Sequence, residues 1–281
     1  MELLKGKPIA AQIKKETSDA VQKKIDRGIV PSLVTISAGA SDDTLTYIES
    51  QRRQAEGIGI RFSHIALGDG VDQQTIIQTV HDLNARKDVH GIMIAHPLPK
   101  GMDEVRVLQE LNPKKDIEGR TPQNLGLIVY EQAFFYPCTA EAVIMILSHY
   151  EISLLGKRMT IIGRSNTVGR PLALMVLERR LGATPTVCHT QTNDLRKVLL
   201  ESELIVVAAG KAGLIGVEEI PDNCVVIDVG INVVDEKVVG DVDMDSLKDS
   251  GKKVRITPVP GGVGGVTTQI LMRNVAKATG L

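Results

Sequence analysis

The segment Arg158-Met159-Thr160-Ile161-Ile162-Gly163 leads directly into Arg164-Ser165-Asn166-Thr167-Val168-Gly169-Arg170-Pro171, a short apolar run followed by a glycine turn and the start of a helical pattern. A glycine at such a turn lets the backbone approach a ligand closely, and the helix behind it offers unpaired N–H groups and the positive end of its dipole. Both features suit a pyrophosphate. The spacing is not G-x-G-x-x-G, so two readings stay open, a nucleotide phosphate turn and an ordinary tight β–α connection.

Further strands are predicted at TPTVCH (184–189), ELIVVAA (203–209) and CVVIDV (224–229), which gives the second half of the chain the spacing of a dinucleotide-binding fold. An NAD site usually has Asp or Glu near the end of its second strand, to bind the ribose 2′-OH. Here the chain reads Cys188-His189-Thr190-Gln191-Thr192, with no acid. Arg164 and Thr190 would instead meet a 2′-phosphate, Arg164 through a charge-assisted contact. NADP is the expected cofactor, with NAD as the alternative. The plain reading is that Arg164 is a solvated surface charge and His189 merely ends a strand.

The first half repeats the alternation. A helix opens the chain on Ile9, Ile13, Val21 and Ile25, followed by a strand at SLVTISA (32–38), a helix over 44–57 and a strand at RFSHIAL (61–67). A helix over 75–86, a strand at HGIMIA (90–95) and a helix over 104–111 continue it. Strands and helices of these lengths imply right-handed β-α-β units on a parallel sheet. CTAEAVIMILSHY (138–150), with Thr139 as a cap and Glu141 in the first turn, is a helix that joins two domains.

Composition removes several classes of function. Lys and Arg number 33 against 34 Asp and Glu, so no global field steers the chain to nucleic acid or anionic lipid. Aromatic residues are 2%, too few for a base-stacking surface. The three cysteines, Cys138, Cys188 and Cys224, lack C-x-x-C spacing and read as buried reduced thiols, with no metal site expected. No signal peptide or membrane span is evident at the amino terminus, so the expected location is the cytoplasm.

PLP (97–99), KKDIEG (114–119), PCT (137–139), GRSNTVGRP (163–171), CHTQT (188–192), DVGIN (228–232), GDVD (240–243) and ITPVPGGVG (256–264) follow one another in this order. In this the chain resembles the methylenetetrahydrofolate dehydrogenase/cyclohydrolase family almost from end to end. The resemblance implies a two-domain α/β enzyme, with a folate domain of residues 1–138 plus a returning helix 266–281, and a Rossmann-type NAD(P) domain of residues 139–265. It also implies oxidation of 5,10-methylenetetrahydrofolate to the methenyl form with NAD(P), hydration of that product in many members, a folate cleft between the domains, and a homodimer joined through the nucleotide domains. Tyr47 matches the tyrosine that packs on the substrate's aminobenzoyl ring, and Glu118 stands where an Asp usually accepts from the pterin N–H groups. Asp116 is the rival carboxylate, read as structural. Pro97, Leu98, Pro260, Gly261 and Gly262 match substrate-side positions, and Gly163, Arg164, Ser165, Thr190 and Ile231 match nucleotide contacts.

Two departures bear on mechanism. The family pattern Tyr-x-x-x-Lys reads here Tyr47 to Gln51, and the family's V-Q-L-P-L-P reads Ile94-Ala95-His96-Pro97-Leu98-Pro99, without its glutamine. The missing lysine is the group assigned to proton handling in hydration, and an amide cannot titrate. On a helix the i, i+4 spacing puts Tyr47 and Gln51 on one face, where both would address the ligand. The expectation is a dehydrogenase with weak or absent cyclohydrolase activity. A bifunctional enzyme in which His96 or bound water replaces the lysine, and a folate- or nucleotide-binding protein without turnover, are the alternatives; His96 otherwise only packs against or caps the Pro97 turn.

Overall fold

The computed structural model describes residues 1–281. The chain opens with β1 (Glu2–Leu3) and α1 (Lys7–Ile25), and continues through β2 (Ser32–Ala38), α2 (Asp42–Glu56), β3 (Arg61–Leu67), α3 (Gln73–Ala85) and β4 (Gly91–Ile94). Helices α4 (Glu104–Gln109), α5 (Pro122–Ile128) and α6 (Cys138–His149) follow. The remainder runs β5 (Arg158–Ile162), α7 (Gly169–Val176), β6 (Thr184–Cys188), α8 (Leu195–Leu200), β7 (Leu204–Val207) and β8 (Val225–Asp228). It ends with β9 (Asn232–Val234), β10 (Lys237–Val239), α9 (Met244–Lys248), β11 (Arg255–Ile256) and α10 (Val263–Ala278). These form two compact units, one of Gln12–Cys138 with Thr268–Leu281 and one of Met1–Ala11 with Thr139–Thr267. The protein is a two-domain α/β structure with a parallel sheet in each.

In the first unit the sheet order is β3-β2-β4, all parallel. All seven residues of the central β2 are buried, which is why its sequence runs apolar and small rather than alternating. Val34, Ile36 and Ala38 pack on α3 through Ile76, Ile77, Val80 and Leu83, and on α4 through Val107 and Leu108. Leu33, Thr35 and Ser37 face the other way and are equally buried. The helices start where the sequence supplies caps: Ser41 accepts from Thr44 N–H, Asp72 from Thr75 N–H, Asp103 from Arg106 N–H and Thr121 from Asn124 N–H. Helix α10 ties its carboxy-terminal half to the unit, since the Asn274 amide donates to the Ile117 carbonyl at 2.8 Å.

In the second unit the order is β1-β11-β8-β7-β5-β6, again parallel. The chain leaves β5 for β6 on one side and then returns to β7 on the other, so the strand order reverses at β5. A doubly wound sheet opens a ligand crevice at the carboxyl end of such a strand. Its core is Ile162, Ile205, Val207, Val226 and Ile256 with Leu199, Ile215 and Ile220.

The division differs from the expected one at the amino terminus. Residues Met1–Ala11 group with the nucleotide-type sheet, because β1 pairs in parallel with β11, Glu2 opposite Arg255 and Leu3 opposite Ile256. Two residues carry no periodicity, so this strand had no local signal. Helix α10 starts at Val263, inside the PVPGGVG segment, and α5 and the β9–β10 hairpin lie where no element was expected. No helix is long and apolar enough to cross a membrane, and the three cysteines are buried and form no disulfide.

Two buried carboxylates shape the loops at the carboxyl end of this sheet. Asp241 accepts from the N–H groups of Ala209 (2.7 Å), Gly210 (3.0 Å) and Lys211 (2.9 Å) and from the Asn232 amide (2.9 Å). Asp228 accepts from the N–H groups of Gly230, Asp241 and Val242, and burial still pushes its carboxyl up to about 6. An Asp241→Ala substitution strips four donors of their acceptor. It is expected to cost about 3 kcal/mol, below the sum of roughly 1–3 kcal/mol for each fully buried group left unpaired, because the four donors are only part-buried and water reaches them. Chemical denaturation reads this as a lower midpoint, and an unchanged midpoint would show that the loops hold without it.

Candidate active site

Three pieces of the first unit converge on one pocket. Helix α2 contributes Asp43, Thr44 and Tyr47, the end of β4 contributes Met93, Ile94, Ala95 and His96, and the turn before α5 contributes Glu118 and Arg120, around a volume of about 280 Å³. The strand register fixes this, since Thr35 faces Met93 and Ile36 faces Ile94, with Ala95 N–H continuing the ladder to the Ile36 carbonyl. The acidic turn is held from below. Asp116 is buried and takes the N–H of Thr121 at 2.7 Å and the Asn124 amide at 2.9 Å, in keeping with its expected structural role.

The structure brings Tyr47, Glu118 and His96 together in the pocket lining, which Gln51 does not join although its side chain lies next to the Tyr47 hydroxyl. Ile48, Gln51 and Ala55 form the buried stripe of α2, and Tyr47 stands at its margin, half exposed. Gln51 is fully buried beneath the pocket; its amide nitrogen donates to the Met93 sulfur at 3.2 Å and its oxygen has no partner. Sharing a helical face is therefore not sharing a ligand surface: four residues turn the side chain by about 40° beyond a full circle, enough to carry it from pocket to core. A thioether is a weak acceptor, so the amide is poorly satisfied there.

Charge in the pocket is organised around Arg120, whose side chain is 11% exposed. Its guanidinium pairs with Glu104, donates to the Ile94 carbonyl at 3.3 Å, and reaches Glu118 at 3.4 Å. Glu104 also meets His96 Nδ1 at 3.0 Å, so His96, Glu104, Arg120 and Glu118 form one chain of contacts. Burial raises the Glu118 carboxyl, Arg120 pulls it back, and Asp116 adds to the rise. The Tyr47 phenol is pushed up to about 12, first by desolvation and then by the charge of Glu118, with the Gln51 side chain acting the other way. Glu104 and Arg120 had escaped the sequence reading. The signals available were an acid one residue after the Asp103 helix cap and a cation directly after the KKDIEG segment.

Pro97 and Leu98 follow His96 through a cis His96–Pro97 bond; neither lines the pocket. Pro260, Gly261 and Gly262 belong to the second unit, where Val259–Pro260 is cis and the Gly261 carbonyl accepts from Gly6 N–H.

The glycine turn of the second unit sits at the strand-order reversal. A Cβ on Gly163 would lie 2.2 Å from the Ala208 carbonyl oxygen, and one on Gly169 would lie 1.9 Å from the Gly163 carbonyl oxygen, so only glycine fits at either place. Ser165 Oγ accepts from Val168 N–H at 3.1 Å, and helix α7 starts without a side-chain cap. Arg164 reaches the Gln191 side chain at 3.3 Å, which brings it to the Thr190 segment beyond β6. Ile231 is exposed just after β8. A backbone-lined turn in front of an uncapped helix start, with a guanidinium at the end of the second strand, is a fitting seat for a dinucleotide.

Residues 4–118 match the catalytic domain of the tetrahydrofolate dehydrogenase/cyclohydrolase family, and residues 137–280 match its NAD(P)-binding domain. The chain belongs to this family. Among similar proteins, the bifunctional protein FolD of Thermotoga maritima is 42% identical over 97% of this chain and 96% of its own length. The crystal structure of the bifunctional FolD enzyme of Campylobacter jejuni superposes with a TM-score of 0.95 at 38% identity, covering 100% of this chain and 99% of that one. The dehydrogenase-cyclohydrolase of Trypanosoma brucei, solved with NADP and an inhibitor, gives 0.91 at 33% identity, covering 99% and 97%. The chain is thus a methylenetetrahydrofolate dehydrogenase/cyclohydrolase family enzyme with an NAD(P)-binding domain, and the first unit carries the pocket of its catalytic domain.

The raised phenol gives a direct check. Because the neutral form of Tyr47 is the favoured one, an ultraviolet titration of the native enzyme minus that of Tyr47→Phe should show this tyrosine ionising near pH 12, later than the ordinary 10. A midpoint at 10 would show that the pocket does not desolvate the hydroxyl.

Proposed function

We propose that this enzyme oxidises 5,10-methylenetetrahydrofolate to 5,10-methenyltetrahydrofolate with NADP, in one-carbon metabolism, and that it hydrates the product weakly or not at all. One observation carries the second half: the position expected to hold a proton-exchanging lysine holds Gln51, a buried amide, and no lysine lines the pocket. NADP is favoured over NAD by Arg164 beside the Thr190–Gln191 segment, which has no acid for a ribose 2′-OH.

In this reading Tyr47 is the platform for the substrate's aryl ring, with its hydroxyl kept protonated, and Glu118 accepts from the pterin N–H groups. Pro97, Leu98, Pro260, Gly261 and Gly262 supply close, side-chain-poor walls on the substrate side. Gly163, Arg164, Ser165, Thr190 and Ile231 hold the dinucleotide, which supplies a hydride acceptor when bound. A hydride leaves the methylene carbon while the lone pair of the adjacent folate nitrogen forms the methenyl C=N bond. No proton is removed by the protein in that step, so positioning is the protein's main contribution and Gln51 is no obstacle to it. Hydration differs, since attack of water must release a proton, and a side chain that cannot titrate cannot take it.

His96 with Glu104 favours a second reading. A carboxylate at Nδ1 orients an imidazole and supports its acting as a base at Nε2, so a hydrolytic route without lysine is chemically available. One assay separates them. Supplied with methylenetetrahydrofolate, the enzyme should form NADPH, with NADP preferred to NAD; supplied with methenyltetrahydrofolate, it should leave the buffer decay rate unchanged, and Gln51→Lys should accelerate that decay. Clear acceleration by the wild-type enzyme that is lost in His96→Asn establishes the second reading instead. Absence of NADPH formation would mean a binding protein without turnover.

We further propose a homodimer formed through the second unit. Val233, Val234 and Val238 of the β9–β10 hairpin are exposed beside Ile231, a run of apolar surface on a two-stranded ribbon with free edges. Sedimentation at micromolar concentration should give twice the chain mass, and Val233→Asp should lower it; a wild-type monomer would rule this surface out.

A further inference from the structure

We propose that Arg120 is the positioning residue of the pocket: anchored by Glu104 and the Ile94 carbonyl, its guanidinium holds Glu118 in place as an ionised acceptor for the N–H edge of the ligand. The inference rests on the folate reading only for the identity of that ligand.

Arg120 makes three contacts from its two terminal nitrogens. One meets Glu104, which is itself fixed by His96 Nδ1 at 3.0 Å; one meets the Ile94 carbonyl at the end of β4, at 3.3 Å; and the same terminal nitrogen reaches Glu118 Oε2 at 3.4 Å. Glu118 itself lines the pocket and is partly exposed there. The groups facing this carboxyl are Tyr47 and Asp43 from α2, His96 after β4, Glu104 from α4, and Asp116 and Arg120 from its own turn. Its removal from water disfavours its charge, as do Asp116 and Glu104, and Arg120 is the cation in contact with it. A neutral carboxyl would present a hydroxyl to the ligand's N–H donors and lose half its acceptor capacity. Glu118 accepts from a two-donor edge with both oxygens only in its ionised form, which Arg120 favours against burial. A guanidinium suits this duty better than an ammonium, because its planar fork spans two carboxylates at once.

Two measurements test this. An infrared difference titration of the free protein, wild type minus Glu118→Gln, reads the Glu118 carboxyl with no substrate present. Arg120→Gln should move its protonation up by about one pH unit or more, and Arg120→Lys, which keeps the charge but not the fork, by less; the lysine variant decides the matter if the glutamine one does not fold. Equal midpoints in wild type and variants overturn the proposal. In the dehydrogenase assay, KM for methylenetetrahydrofolate in Arg120→Gln should rise over wild type most at the acid end of the range, with the gap narrowing as pH rises and KM for NADP unmoved. A rise in KM that is independent of pH, or one that persists unchanged in a Glu118→Gln background, assigns Arg120 to packing alone and also overturns it. If the wild-type enzyme does not turn over methylenetetrahydrofolate, the folate reading fails, while the infrared titration still decides what Arg120 does to Glu118.

Discussion

Backbone meets backbone at the carboxyl end of β5, where Gly163 and Gly169 leave no room for a side chain: Cβ atoms there would fall 2.2 Å from the Ala208 carbonyl oxygen and 1.9 Å from the Gly163 carbonyl oxygen. That contact lets the loop after β7 close over the turn and lets α7 start immediately against it. The strand order reverses at the same point, so the crevice that a doubly wound sheet must have is lined here by main chain. The buried carboxylates of Asp228 and Asp241 then gather the neighbouring loops by their N–H groups. The proposed nucleotide seat is thus built from main chain, with Arg164 in contact with the Gln191 side chain beside it.

The catalytic-domain pocket follows a different rule. It is built from polar side chains, His96, Glu104, Arg120 and Glu118, linked in one series of contacts, with the raised phenol of Tyr47 beside them. Desolvation works against the charges of Arg120 and Glu118 in such a place, and each is tolerated because its neighbour has the opposite sign. Gln51 is the exception, buried without charge and with an amide only partly satisfied. A chemistry that needs geometry alone is compatible with that arrangement; one that needs a proton acceptor at Gln51 is not.

Much of this was legible in residue order. Strand–glycine–helix at 158–171, the parallel β-α units and the absent acid after β6 followed from hydrophobic period and turn chemistry, and Tyr47 and Glu118 were singled out before their pocket was known. What escaped were features with no local signature. The two-residue strand β1 exists only because β11 offers it an edge, and its pairing moves the amino terminus into the second unit. Glu104 and Arg120 carried no signal of their pairing, since nothing between positions 104 and 120 announces that a helix and a turn bring them into contact.

The sequence by itself determined the α/β class, the family and the chemical limits of the site, because these depend on periodicity, on glycine's missing side chain and on whether a given residue can titrate. Only the tertiary structure decided that Tyr47 faces the pocket while Gln51 lies under it, and that Glu118 is met by Arg120. The reason is physical: helical spacing fixes which residues share a face to within about a quarter turn, and the packing of α2 on its sheet decides where along that arc the ligand surface stops and the core begins.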